Sequence, residues 1–126
     1  MGLLDGLLGN ATSVEASDVE RELSRILVPG ESVHRAFKVL RDMFIFTSSR
    51  LILLDRQGLT GKKVSYVSVP YKSIRMFSVE TAGTFDLDAE LKIWVAGLSV
   101  PIERQFRRGE AIFEVQAAIA HYVSVT

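Results

Sequence analysis

The 126-residue sequence has no cysteine, and only three prolines, two histidines and one tryptophan. Without cysteine there is no disulfide framework, no thiolate nucleophile and no cysteine zinc site, a composition that suits a reducing compartment. Cytoplasm is the expected location. No apolar run approaches the roughly 20 residues needed to span a bilayer, because charges interrupt every candidate. The apolar start "MGLLDGLLGN" precedes the first basic residue, Arg21, so it lacks the charged leader of a secretory signal and no export is expected. Net charge is missing too, with 15 Lys and Arg against 15 Asp and Glu. Nucleic-acid binding favours a basic domain with aromatics interleaved on one face, so no nucleic-acid partner is expected.

What is present is enough apolar material, 48% of residues, for one ordinary domain. Folding at this length buries roughly 65 to 70% of the unfolded surface, which supports one core. The balanced charge is unevenly spread. Residues 1–30 hold five acids and two bases, residues 31–75 three acids and nine bases, and residues 76–126 seven acids and four bases. A middle of +6 between flanks of −3 suits an anionic partner, or acidic flanks meeting the basic middle within one molecule or across a subunit boundary.

Leu3, Leu4, Leu7 and Leu8 fall on one side of a short helix that Gly2, Gly6 and Gly9 weaken. Its only charge is Asp5, whereas membrane-surface helices carry a basic face, so docking on protein is expected. "NATSVEAS" reads as a polar linker, and Ser17 with Glu20 as a capping box opening a second helix. Val19, Leu23, Ile26 and Leu27 continue that helix until Pro29 and Gly30 stop it.

From Glu31 the period becomes that of extended chain. Ser48 and Ser49 sit between the apolar runs Met43 to Phe46 and Leu51 to Leu54, as the connection of a tight, deeply buried hairpin would. "KKVSYVSVP", "SIRMFSVET", "LDAELKIWVA" and "LSVPIE" follow between turn-forming segments, giving about seven strands. In "LDAELKIWV" Leu87, Ala89, Leu91, Ile93 and Val95 share one face, while Asp88, Glu90, Lys92 and Trp94 share the other. After Gly109, Ile112, Val115, Ile119, Tyr122 and Val123 form the stripe of a closing helix. A seven-stranded antiparallel meander with one closing helix is a layout for a small barrel plugged by that helix.

Motifs for catalysis are absent. "DRQGLTGKKVSYVSVPYKSI" resembles a phosphate loop, but only two residues separate Gly58 from Gly61, Lys63 stands where Ser or Thr would hold magnesium, and no helix follows. The glycines read instead as left-handed turn positions of a hairpin. Asp86, Asp88 and Glu90 begin like a calcium loop, but Leu91 stands at the glycine position and the closing glutamate is missing, so no metal is assigned. His34, His121, Ser48 and Ser49 belong to no metal or nucleophile motif. With neither enzyme motif nor cofactor motif, a non-enzymatic protein is expected. Trp94 points with charged neighbours and reads as an intersubunit contact.

The run "FTSSRLILLDRQGLTGKKVSYVSVPYKSIRMFSVETAGTFDLDAELKIW", with Pro101-Ile102 and the "VQAAIA" of the last helix, resembles the bacterial pleckstrin-homology-like domains, formerly a family of unknown function. The resemblance runs from about Asp42 to the end. It implies an α+β fold: two bent antiparallel sheets forming a barrel of about seven strands, a C-terminal helix capping it, and short N-terminal helices before it. It also implies a tendency to form homo-oligomeric rings, and it implies no reaction. The expected organisation is a helical extension over 1–30 and one barrel domain over 31–126. The functional expectation is a self-assembling interaction or scaffolding module that contacts its copies through Leu3, Leu4, Leu7, Leu8, Glu90, Lys92 and Trp94. The alternative is an anion- or membrane-surface module using the basic segment 50–75, with Arg56, Lys62, Lys63, Lys72 and Arg75 as contacts. The expected partner is a second copy of the chain, with another protein or an anionic lipid headgroup as further candidates.

Overall fold

The computed structural model describes residues 13–81, 88–107 and 111–126. Leu3, Leu4, Leu7, Leu8 and Asp86 lie outside these. The chain divides into two compact units, Met1–Ser68 and Val69–Thr126.

Strands β1 (Ser13–Val14), β2 (Val33–Val39), β3 (Asp42–Thr47), β4 (Arg50–Gln57) and β5 (Lys63–Pro70) lie side by side in chain order, all in the first unit but for the last two residues of β5. The β2–β3 hairpin closes through Leu40 and Arg41 after the pair Val39–Asp42, and Ser48-Ser49 connects β3 to β4 as the sequence predicts. Leu51 to Leu54 are buried at every position. Helix α1 (Ala16–Glu22) lies against β2. It places Val19 and Leu23 on Ala36, Met43, Ile45, Ile52 and Leu54, with Ile26 and Leu27 packed at the margin. Fully burying an aliphatic side chain contributes about 1.5–3 kcal/mol, so Leu23 alone anchors much of so short a helix.

The capping box does not form. Glu15 is the N-cap residue and no side chain caps the helix. The Glu20 carboxylate instead accepts the Val33 backbone N–H at 2.8 Å, fastening the helix to β2. The helix also ends at Glu22, well before Pro29, and the chain continues through a series of turns. The segment read as a polar linker contains β1, whose Ser13 and Val14 pair with Phe37 and Ala36.

The second unit holds strands β6 (Ile74–Thr81), β7 (Ala89–Val95) and β8 (Ile102–Phe106) in an antiparallel sheet, followed by helix α2 (Ile112–Ser124). The helix packs on β6, β7 and the Tyr71–Ser73 turn, burying Ile112, Val115, Ala118 and Ile119. Tyr71 stacks on Tyr122 with ring centroids 5.3 Å apart.

Seven strands of five residues or more and the closing helix match the sequence reading, but the barrel does not. The strands form two separate sheets, one of five and one of three, not a closed barrel. The break falls where Pro70, which has no N–H to donate, ends β5 and the 3₁₀ turn Tyr71–Ser73 redirects the chain before β6.

Candidate functional site

The cations of the basic segment fall in different environments. Arg50 is part of the framework. Its guanidinium grips Glu31 bidentately, Nε to Oε2 and an NH₂ group to Oε1, both at 2.9 Å. The remaining donors reach the Ile26 carbonyl and the Ser68 hydroxyl at 2.9 Å. Thr47 and Ser49 hydroxyls donate to Glu31 Oε2 at 2.6 and 3.0 Å, and the Val28 N–H donates to Oε1 at 3.1 Å. Glu31 is almost fully enclosed, its side chain 1% exposed. The Arg50 hydrogen bonds outweigh desolvation and bring its pKa down from 4.5 to about 2, with help from the other donors. The same pairing raises the Arg50 pKa.

Arg56, Lys62 and Lys63 sit at the other end of this sheet, beside the β4–β5 connection. Gly58 and Gly61 there take φ of +81° and +69°, the left-handed values expected of them in a turn. Arg41, on the β2–β3 turn, donates to the Gly58 carbonyl at 2.8 Å and so holds two hairpin ends together. Each of those turns carries an exposed leucine, Leu40 at 47% and Leu59 fully solvated. Lys72 and Arg75 are exposed in the second unit, so the five candidate anion contacts do not gather within one unit. Arg41 lies outside the contiguous basic stretch 50–75, so the sequence alone does not point to it. The β3–β4 hairpin register, which carries residue 41 toward residue 56, is the signal that points to it.

On the three-stranded sheet, Trp94 pairs with Met76, Lys92 with Ser78, and Glu90 with Glu80. Glu90, Lys92 and Trp94 therefore share one face, as the alternation predicts, and all three are half-buried. Lys92 Nζ lies 3.5 Å from Glu80 and 3.9 Å from Glu90, separating two carboxylates that stand directly opposite each other. Met76 is 52% exposed beside the tryptophan. The opposite face carries Leu91 and Ile93, both buried.

Among the described residues there is no group of three His, Cys, Asp or Glu side chains placed to hold a metal, and no helix long and apolar enough to cross a membrane. His121 packs edge-on against Tyr122.

Two antiparallel sheets with a closing helix, bearing a cationic hairpin end and a mixed apolar and charged sheet face, define a small binding module. The family described as the bacterial PH domain matches residues 2–123, and the chain belongs to that family. It is 54% identical over 121 residues to YjqA of Bacillus subtilis, across 95% of this chain and 97% of that one. It is 33% identical over 111 residues to YozO of the same organism, across 88% and 95%. Of solved structures, a pleckstrin homology domain from Shewanella amazonensis superposes with a TM-score of 0.86 at 52% identity, covering 96% of this chain and 98% of that one. A pleckstrin-homology-domain protein from Shewanella loihica superposes with a TM-score of 0.77 at 48% identity, covering 89% and 96%. As a member of this family, the chain is a non-enzymatic interaction module.

Proposed function

We propose that this module works by assembling with copies of itself into homo-oligomers of ring type, serving as a cytoplasmic scaffold. The observation that carries the reading is the Met76–Trp94 pair on the outer face of β6 and β7, with Lys92 placed between Glu80 and Glu90 beside it. A half-buried tryptophan next to an exposed methionine gives a small apolar patch, and the adjoining charges of both signs give a register for a second subunit. The leucines Leu3, Leu4, Leu7 and Leu8 are proposed as additional contacts. Light scattering on the full chain tests the proposal. A mass of several protomers is expected at micromolar concentration, reduced by the double variant Met76→Glu/Trp94→Glu and separately by replacing the four leucines with serine. A monodisperse monomer of the unaltered chain would overturn it.

A second reading has its own observation. The Arg41–Gly58 bond sets Arg41, Arg56, Lys62 and Lys63 at the end of the first unit that also exposes Leu40 and Leu59. Cations around solvated leucines suit an anionic membrane surface. Retention on anionic vesicles at low salt, lost in Lys62→Gln/Lys63→Gln, is the expected result. Equal retention on anionic and neutral vesicles would rule it out.

A further inference from the structure

Beside the hairpin end, where α1 leaves the sheet uncovered, the first unit has a pocket of about 260 Å³. One wall is acidic: Glu15, Asp18 and Glu22 line it from the start and one side of α1. The facing wall is basic: Lys38 comes from β2, Arg41 from the β2–β3 turn and Arg56 from β4. The floor is apolar and closed, with Val19 and Met43 both buried. These bases share a face for a register reason. Lys38 pairs with Met43 and Met43 with Leu54, which sets them on one side of the pleat with Arg56 two residues beyond Leu54, and Arg41 joins them from the adjoining turn.

The two walls do not neutralise each other. Among the described residues no carboxylate of the acidic wall forms an ion pair with a cation of the basic wall; Asp18 pairs with Arg21 on its own helix. Arg41 uses one guanidinium nitrogen on the Gly58 carbonyl and keeps further N–H donors for other acceptors. Three acids and three bases thus line the same gap without pairing across it. A molecule carrying both charges closes it. Two guanidiniums and an ammonium suit a phosphate, which accepts forked hydrogen bonds from arginine, whereas Glu15 and Glu22 suit a primary ammonium. A volume just below the usual range for ligand pockets fits a compound of few heavy atoms.

We infer that this pocket binds a phosphorylated primary amine of the phosphoethanolamine type, with the phosphate on Lys38, Arg41 and Arg56 and the amine on Glu15 and Glu22. The compound comes either free or as the headgroup of phosphatidylethanolamine. The proposal is independent of self-assembly and shares Arg41 and Arg56 with the anionic-surface reading. It differs from that reading in requiring the acids, which would repel a simple anion.

The test titrates the full chain with phosphoethanolamine, inorganic phosphate and ethanolamine, followed by amide chemical shifts. Phosphoethanolamine is expected to bind at least about tenfold more tightly than either half. Glu15→Gln/Glu22→Gln should erase that advantage while leaving phosphate binding unchanged or stronger, and Lys38→Gln should weaken both. All three positions are exposed, so these variants are expected to fold. In parallel, sedimentation with phosphatidylcholine vesicles, with and without phosphatidylethanolamine, separates the sources. Retention that requires phosphatidylethanolamine and is lost in the double variant assigns the lipid headgroup, and binding of the free compound alone assigns a soluble ligand. Equal affinity for phosphate and phosphoethanolamine, indifference of all binding to the double variant, or no binding of either source would overturn the proposal. The first two of those outcomes leave the anionic-surface reading standing.

Discussion

At the scale of single residues, the Glu31–Arg50 pair is the most consequential feature of the first unit. It joins the turn after α1, the β3–β4 hairpin and Ser68 through one carboxylate and one guanidinium. Removing either partner leaves a largely enclosed charge unmatched, and Arg50→Met is expected to cost about 3 kcal/mol in urea unfolding. Because the folded pKa of Glu31 lies below its unfolded value, its contribution is fully present above pH 4.5 and lost as pH falls toward about 2. The stability gap between the natural chain and Glu31→Gln should therefore be widest near neutrality and narrow through that acid window. None of this was legible in the sequence. Arg50 looks like one more member of a basic run, and its partner lies 19 residues away. Leu40 was equally hidden: it takes φ +59° at the β2–β3 turn, a region costly for a branched L-residue. Leu40→Asn is expected to raise stability by about 0.5–1 kcal/mol, measured by thermal unfolding.

At the scale of elements, what the sequence shows depends on whether the determining interactions are local. The strands were readable because alternation is a property of one segment, and the closing helix because Ile112, Val115 and Ile119 recur within it. The capping box failed because Glu20 had a better acceptor role across 13 residues, on the Val33 amide. Ser17→Ala should accordingly change stability by less than about 0.5 kcal/mol, whereas Glu20→Ala should cost about 1–2 kcal/mol by leaving that amide without its acceptor. Equal effects of the two in denaturant titration would contradict the observed hydrogen bond. Barrel closure was the least readable property, since it depends on whether edge strands find each other and not on any strand's own pattern. The strand–helix order that suggests a barrel is equally that of two sheets joined at Pro70.

At the scale of the whole molecule, zero net charge conceals segments of opposite sign, and the proposed self-assembly is expected to respond to salt. Raising ionic strength from about 0.05 M to about 0.5 M should shift the mass from light scattering toward smaller species if charge pairing sets the register. A mass of several protomers that is indifferent to salt would instead favour the apolar Met76–Trp94 patch as the proposed contact. The shared face of Glu90, Lys92 and Trp94 was legible from alternation alone, but the pocket between α1 and the hairpin end was not, since its two walls come from segments that only tertiary packing brings together. The simple strand order of the first unit also bears on how the protein is made. Each strand from β1 to β5 lies beside its sequence neighbour, and the β2–β3 and β3–β4 connections are only two residues each, so most loops closed in forming this sheet are short. A nascent chain needs no residue beyond β5 to complete that sheet. It can be built on the ribosome while the second half is still being translated, leaving little time for unpaired strands to meet those of another chain.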